Sequence, residues 1–250
     1  MLVLVPPSET KRAGGTGAAL DLAALALPEL TEPRARVTAA LEALSADPDV
    51  AARVLKLSER QRSAIADNAA LRSAPTMPAV DRYTGVLYDA LDAASLPTAG
   101  RRWLGSHVLI HSAPLGPVGA LDGIPSYRLG AGTSLPGIAS LRSIWAGPVS
   151  DALAARHPPL VVDLRSEAYT ALGPVPAHID SVYVRVVTED GDGAAARALN
   201  HFNKHAKGAF VRTLAEGRPT VHTAAGLCRW AQGRGWMLRP GRPGELELVV

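Results

Sequence analysis

The chain has 250 residues, of which 47% are hydrophobic, and its 26 Lys and Arg against 23 Asp and Glu give a net charge of +3. These values are those of an ordinary globular protein, which we treat as a single domain over residues 1–250. They exclude a membrane-spanning chain, since no apolar run approaches the roughly 20 residues that a transmembrane helix needs. The small positive excess permits nucleic-acid binding without requiring it.

The termini and the rare residues narrow the class further. The start of the chain, residues 1–5, lacks the basic region and cleavage site of a signal peptide, so we expect a cytoplasmic protein with no membrane partner. The single cysteine, Cys228, cannot form an internal disulfide and is expected to be a buried thiol. The seven histidines form no recognisable ligand pair, so we predict no metal site and no cofactor.

The first predicted element is a buried strand over residues 1–5, followed by the polar loop 6–11. In open α/β sheets, loops after the carboxyl ends of strands line the ligand crevice. Helical periodicity then predicts a helical annex over about 33–72. The predicted annex helices are 33–45, 47–55 and 59–71, the last capped by Ser58.

Further elements alternate along the rest of the chain. We predict a helix that begins at or just after residues 83–88, strands over 104–111, 160–164, 182–188 and 245–250, a helix over 145–156, a turn over 189–193 and a helix that ends near Glu216. This alternation predicts a mixed α/β (α+β) fold, with a central mixed sheet flanked by helices.

Asp163 closes the predicted strand 160–164. A carboxylate at the end of a buried strand is costly unless it is paired or hydrogen-bonded. We therefore expect a partner for Asp163, and Arg165, Tyr169 or one of the lysines could supply it.

The stretch 201–208 concentrates polar groups, because two of only four lysines in the chain, Lys204 and Lys207, lie there three residues apart. Asn is a preferred helix N-cap, so Asn203 is predicted to begin a helix that carries both lysines in its first turns. Cations there oppose the helix dipole unless an anion such as phosphate lies against them. A solvated helix face is the alternative interpretation.

Five motifs occur in an order that resembles the YaaA-like peroxide-stress family of bacteria. They are Pro7-Ser8-Glu9-Thr10-Lys11, Tyr83-Thr84-Gly85, Ile124-Pro125-Ser126-Tyr127-Arg128-Leu129, Val162-Asp163-Leu164-Arg165-Ser166-Glu167-Ala168-Tyr169, and His201-Phe202-Asn203-Lys204 with Lys207-Gly208. The resemblance implies a cytosolic protein that protects against hydrogen peroxide and is linked to lower free iron. It also implies a mixed α/β fold with a positively charged cleft, and DNA binding associated with a helix-hairpin-helix, here over about 38–71.

Two departures from the family pattern affect these expectations. Many relatives have Lys where Glu9 stands, and Lys11 is expected to replace that charge. The stretch 115–122 lacks the arginine that relatives usually carry before the Asp, here Asp122. If that arginine binds an anion, its loss weakens the site by about 1–3 kcal/mol. The candidate hairpin turn 55–58 also has no glycine, although glycine permits close approach to a phosphate.

Three hypotheses follow. In the first, the protein binds DNA through backbone phosphates with low sequence specificity. The residues predicted to contact the DNA backbone are Arg53, Lys56, Arg60 and Arg62. In the second, the protein is an enzyme that acts on a small phosphorylated or nucleoside-like molecule. In the third, it is a scaffold for a protein partner.

The first two hypotheses share one predicted cleft for an anion or ligand. Its predicted residues are Thr10, Lys11, Tyr83, Tyr127, Arg128, Arg165, Ser166, Tyr169, His201, Asn203, Lys204 and Lys207. The catalytic candidates are Ser8, Glu9, Lys11 and Asp163. Ser8 and Lys11 have the spacing of a nucleophile and its base, and Asp163 or Glu9 is a candidate general base. A buried ring with a hydrogen-bonded hydroxyl is the alternative for Tyr127 and Tyr169.

Overall fold

The computed structural model describes residues 1–188 and 196–250, with the backbone alone for residues 196–200. The described strands are β1 (Leu2–Val5), β2 (Met77–Pro78), β3 (Val108–Ser112), β4 (Gly116–Gly119), β5 (Gly123–Ile124), β6 (Val161–Asp163), β7 (Ser181–Val187), β8 (Met237–Pro240) and β9 (Glu245–Val249). The described α-helices are α1 (Thr31–Ser45), α2 (Pro48–Val54), α3 (Ala64–Ala69), α4 (Ala79–Arg82), α5 (Val86–Leu91), α6 (Thr98–His107), α7 (Leu141–Ala155), α8 (Glu167–Thr170), α9 (Ala196–Gly217) and α10 (Ala224–Gln232). Short 3₁₀ turns occur at Pro28–Leu30, Glu59–Gln61 and Ala93–Ser95.

Seven strands form one mixed sheet in the order β4-β3-β1-β6-β7-β9-β8. The five central strands are parallel, while β4 and β8 pair antiparallel to their neighbours at the two edges. Helices pack around this sheet, for example α6 on β3 and α9 on β7. The predicted mixed α/β fold is therefore confirmed.

The central strands are apolar along their whole length. All four residues of β1 and all three residues of β6 are buried. Such continuous runs are typical of parallel strands whose two faces are both covered by helices. The strand predictions over 1–5, 160–164, 182–188 and 245–250 are confirmed to within two residues at each end.

The prediction of a strand over 104–111 is wrong in its first half. Residues 104–107 complete α6, and β3 begins at Val108. The apolar pair Trp103 and Leu104 is buried from a helical backbone, and His107 Nδ1 lies 3.0 Å from the carbonyl oxygen of Trp103, one helical turn earlier. A short apolar run does not distinguish a buried helix end from a strand.

The annex is built by α1, which packs against α2, α3 and α7. The predicted helix over 59–71 is divided into a 3₁₀ turn at Glu59–Gln61 and α3. A helix-hairpin-helix is not confirmed. Apolar annex residues such as Val37 and Ile65 belong to the same buried cluster as the central strands, while the single-domain assignment stays a prediction.

The turn after α2 is a helix C-cap. Leu57 N–H donates to Ala52 O at 2.9 Å and Lys56 N–H donates to Arg53 O at 3.2 Å, which is the Schellman pattern. Lys56 takes the left-handed position with φ of 53°, where glycine is usual. The turn therefore keeps its shape without glycine and carries a cation at its tip.

The prediction that Asn203 begins a helix is wrong. α9 already begins at Ala196, so Asn203 lies inside the helix, where its N–H group serves the helical ladder. The predicted helix end near Glu216 is confirmed. The turn predicted over 189–193 lies outside the described residues. Among the helices that the structure describes, none combines the length and apolarity needed to cross a membrane.

Candidate functional site

The strand order places a crevice between β1 and β6. The chain passes from β1 to β3 on one side of it and later to β6 on the other side, so the direction of winding reverses at the β1–β6 pair. In open α/β sheets, ligands bind at such a switch point, beyond the carboxyl ends of the strands. The loop 6–11 and the segment 164–169 leave β1 and β6 at this edge.

A cavity of about 890 Å³ lies at this crevice. Its walls come from the two loops, from the start of α5, from β7 and from α9. The lining residues are Pro6, Pro7, Ser8, Glu9, Thr10, Gly85, Val86, Leu87, Tyr88, Leu164, Ser166, Glu167, Ala168, Tyr169, Tyr183, Arg185, Val186, Asn203, Lys204 and Lys207. A volume of this size accommodates a small organic ligand.

A chain of hydroxyls forms the wall made by the loop 6–11. Ser8 Oγ lies 3.2 Å from Thr10 Oγ1, and Thr84 Oγ1 donates to Thr10 Oγ1 at 3.0 Å. Gly85 stands against this cluster with φ of 92°, and a Cβ there would lie 3.3 Å from Thr10 Oγ1 and 3.5 Å from Ser8 Oγ. Glycine therefore keeps the approach to the hydroxyls open.

Lys11 stabilises the loop 6–11 through a hydrogen bond to its backbone. Its Nζ donates to Ser8 O at 3.1 Å and lies 4.0 Å from the centre of the Tyr127 ring and 5.3 Å from that of Tyr83. Burial, and secondarily the charge of Arg128, lowers the pKa of Lys11 to about 7. Lys11 does not line the cavity, and its contacts are those of a residue that shapes the loop.

Beneath Lys11, the two tyrosines are joined by their hydroxyls. Tyr83 Oη and Tyr127 Oη are 2.6 Å apart, and Ser112 Oγ donates to Tyr127 Oη at 2.9 Å. Burial raises the pKa of both tyrosines well above the ordinary value. For Tyr127, this is the alternative that the sequence left open, a buried ring whose hydroxyl is hydrogen-bonded.

Arg128 forms an ion pair with Glu9, with Nη2 at 2.9 Å from Glu9 Oε2. Arg128 Nη1 also donates to the carbonyl oxygen of Glu9 at 3.3 Å. Arg128 therefore stabilises the loop 6–11 at its outer side rather than contributing to the cavity lining.

Asp163 has the partner that its burial requires, because Arg165 meets it two residues later. Arg165 Nε donates to Asp163 Oδ1 at 2.9 Å and Nη2 donates to Oδ2 at 2.6 Å. Arg165 Nη1 donates to Gly173 O at 2.9 Å and lies 2.8 Å from His111 Nδ1. The pair is buried and lies outside the lining, so it fixes the segment on which Ser166 and Tyr169 stand.

α9 presents Asn203, Lys204 and Lys207 to the cavity. Lys204 is exposed, while Lys207 Nζ donates to Leu164 O at 3.0 Å. Burial lowers the pKa of Lys207 to about 8. The two lysines differ in solvation although they share a helix face.

The structure thus brings together about half of the predicted set. The predicted residues that line the cavity are Ser8, Glu9, Thr10, Ser166, Tyr169, Asn203, Lys204 and Lys207. Those outside the lining are Lys11, Tyr83, Tyr127, Arg128, Asp163, Arg165 and His201. His201 is exposed and meets the Phe202 ring edge-on, with centroids 6.2 Å apart.

Sequence reasoning missed three lining residues of β7, Tyr183, Arg185 and Val186. Arg185 is paired with Glu245, with Nη2 at 2.8 Å from Oε1. The sequence of β7 does show an alternating pattern. Val182 and Val184 are buried, while the residues between and beyond them are not. Side chains at i and i+2 of a strand share a face, so a polar face on β7 was predictable but its direction was not.

The stretch 115–122, which lacks the arginine that relatives usually carry, lies away from the cavity. β4 within it is buried at a sheet edge, and none of its residues lines the cavity. Asp122 accepts hydrogen bonds from the N–H groups of Ala26 and Gly119, both at 2.7 Å. The missing arginine is therefore not a loss from this cavity.

The annex carries a second, shallower hollow, bordered by Arg53, Lys56 and Arg62 among others. Arg62 forms ion pairs with Asp49 and with Glu59. Arg53, Lys56 and Arg60 are exposed. The four predicted DNA-contacting residues thus lie in one region, in which acidic side chains engage one of the four cations.

The fold and the crevice define an open α/β protein with a candidate ligand site at the switch point of its sheet. Comparison with known proteins gives the family. Residues 1–239 match the family model described as peroxide stress protein YaaA. A UPF0246 protein of Corynebacterium efficiens is 46% identical over 100% of both chains, and one of Streptomyces coelicolor is 40% identical over 100% of this chain and 98% of its own.

The chain therefore belongs to the YaaA peroxide stress family. This confirms the resemblance that the five sequence motifs indicate.

Proposed function

We propose that the crevice cavity binds a small phosphorylated, nucleoside-like molecule. The observation that carries this proposal is the pairing of a hydroxyl wall, Ser8 and Thr10, with the exposed ammonium group of Lys204 in one cavity of about 890 Å³. Hydroxyl and ammonium groups both donate hydrogen bonds to phosphate oxygens. The rings of Tyr169 and Tyr183 add flat apolar surface for a base or sugar.

The cavity also contains the carboxylates of Glu9 and Glu167. Glu9 is tied to Arg128. We assign the phosphate to Lys204, an exposed ammonium group of the lining.

Titration calorimetry with adenosine 5′-monophosphate tests the proposal. We expect Lys204→Ala to weaken binding by about 10- to 100-fold, since a charge-assisted hydrogen bond contributes roughly 1.5–3 kcal/mol. Lys56→Ala removes another exposed lysine, from the annex, and is expected to leave this affinity unchanged. Absence of binding at millimolar ligand, or equal binding by wild type and Lys204→Ala, contradicts the proposal.

DNA binding is the second candidate function, and its supporting observation is the tip of the annex turn. Arg53 and Lys56 are exposed, lie three residues apart and border the same hollow. Contacts of this kind neutralise backbone phosphates without reading bases. Arg62 contributes less, because Asp49 and Glu59 compete with phosphate for its guanidinium.

Fluorescence anisotropy of a labelled duplex at rising salt tests DNA binding. Replacing Arg53 and Lys56 together by Ala should reduce the slope of log K against log salt by about 2, roughly one for each phosphate contact. Lys204→Ala is the matched control for this assay, as Lys56→Ala is for the nucleotide. A wild-type protein that fails to bind the duplex at low ionic strength contradicts this function.

Membership of the peroxide stress family supports a cytoplasmic role in protection against hydrogen peroxide. A deletion strain should be more sensitive to peroxide than its parent. Complementation by Lys204→Ala and by the Arg53/Lys56 double variant then shows which of the two surfaces protection needs. Equal survival of the deletion strain and its parent contradicts the role.

A further inference from the structure

Lys207 is held at the cavity by a backbone carbonyl and an aromatic ring. Its Nζ donates to Leu164 O at 3.0 Å, and it lies 5.4 Å from the centre of the Tyr183 ring. Asp163 is close enough to act on its charge, but both carboxylate oxygens of Asp163 are engaged by Arg165. Within residues 1–188 and 201–250, no carboxylate lies within 4.0 Å of Lys207 Nζ.

The remaining three lysines are excluded by their positions. Lys56 and Lys204 are exposed to solvent. Lys11 is desolvated and held by a backbone carbonyl and an aromatic ring, as Lys207 is, but it lies outside the cavity lining. Lys207 is therefore the one lysine of the four that both borders the cavity and is largely removed from water.

Burial changes the chemistry of this amine. A pKa of about 8 leaves about half of Lys207 neutral at pH 8, whereas an ordinary lysine is neutral to roughly 0.3%. The neutral amine is the nucleophilic form, and desolvation is a recognised way to activate a lysine toward carbonyl groups.

We propose that Lys207 forms an imine with an aldehyde or ketone group of the phosphorylated ligand, a step that rests on the ligand cavity proposed above. The Nζ lone pair attacks the carbonyl carbon and forms the C–N bond. The carbonyl oxygen takes up two protons, one from solvent and one from the nitrogen, and leaves as water, so the product is the protonated imine, in which the nitrogen keeps its second proton and carries the positive charge. The resulting C=N bond requires neither an oxidant nor a reductant.

Reductive trapping tests the proposal on the full chain. The protein is incubated at pH 8 with pyridoxal 5′-phosphate, a phosphorylated aldehyde, then reduced with sodium borohydride and mapped by peptide mass spectrometry. We expect one adduct per chain, on Lys207, lost in Lys207→Arg and retained in Lys56→Arg. Pyridoxal, which lacks the phosphate, should label Lys207 about ten-fold less, because it lacks the charge-assisted contacts of the phosphate.

The mapped wild-type adduct and its pH dependence do not rely on any variant folding. Labelling of Lys207 should level off above about pH 8. Adducts on Lys11, Lys56 or Lys204 in preference to Lys207, or undiminished labelling in Lys207→Arg, overturn the imine. Unlabelled protein that still binds adenosine 5′-monophosphate overturns the imine alone, whereas failure of both labelling and nucleotide binding overturns the ligand cavity as well.

Discussion

Asp163 and Arg165 form a buried ion pair joined by two hydrogen bonds, between the end of β6 and the start of α8. The carboxylate also accepts the backbone N–H of Arg165 at 3.0 Å, so one side chain fixes both the guanidinium and the bend of the chain. This bend leads directly into the wall of the cavity that contains Ser166 and Tyr169. The pair acts on the site through the shape of this segment.

Removing one member of this pair should be costly. Asp163→Asn leaves the Arg165 guanidinium buried without a compensating charge, and we expect a loss of about 3–5 kcal/mol in the free energy of unfolding. Guanidinium chloride denaturation measures the loss. The double variant Asp163→Asn/Arg165→Met should lose less than the sum of the two single variants, and strict additivity would show that the two side chains do not act as a pair.

His111 is expected to make the free energy of unfolding depend on pH below about pH 6.5. Burial, with the charge of Arg165 as a second cause, holds the pKa of His111 well below its ordinary value of 6.5. The unfolded chain therefore takes up a proton below about pH 6.5 that the folded protein refuses, so this group lowers stability as the pH falls, by up to about 1.4 kcal/mol per pH unit.

His111→Asn tests this linkage, because the amide oxygen replaces Nδ1 as the acceptor for Arg165. We expect the free energy of unfolding to fall less steeply between pH 6.5 and about pH 5 than in the wild type. Denaturant titrations at a series of pH values measure the slope. Parallel curves for the two proteins would exclude His111 as the source of the dependence.

The crossing of α5 and α9 depends on Gly208. A Cβ at this position would lie 2.0 Å from the backbone oxygen of Leu87, and backbone cannot yield as a side chain does. We expect Gly208→Ala to cost about 1–3 kcal/mol or more through overpacking, as measured by denaturant unfolding.

Gly105 in α6 provides the matched comparison. A Cβ there meets the end of the Leu121 side chain at 2.8 Å, and Leu121 is 38% exposed and able to move. Gly105→Ala should therefore stabilise the protein by about 0.5–1 kcal/mol through helix propensity. Equal effects of the two substitutions would mean that the α5–α9 contact is not the cause.

The left-handed turn after α2 should be improved by glycine. Lys56 has a φ of 53°, a conformation that costs a residue with a Cβ about 1–2 kcal/mol. Lys56→Gly should raise the free energy of unfolding by about 1 kcal/mol after its greater freedom in the unfolded chain is included. Lys56→Ala keeps the Cβ and should give no such gain, so a gain shared by both variants would point to the loss of charge instead.

The sequence was most informative where a residue's neighbours along the chain decide its structure. The runs in β1 and β6 are apolar throughout, and a partner for Asp163 was required by burial and was found two residues away. It was misleading at Asn203, because a side chain that favours an N-cap is also tolerated inside a helix that tertiary packing extends. The first-turn argument for Lys204 and Lys207 therefore fails, although both residues do reach the cavity.

Local sequence by itself determined the family, the mixed α/β class and the two loops that flank the crevice, since these depend on motifs and on apolar periodicity. Only the tertiary structure decided which polar residues face the cavity and which lie beneath it. Arg165 and Lys207 both carry basic side chains in family motifs. Arg165 is paired with the buried carboxylate of Asp163, whereas Lys207 borders the cavity. The difference arises from the order of strands and the packing of α9, which bring together residues that are distant in the chain.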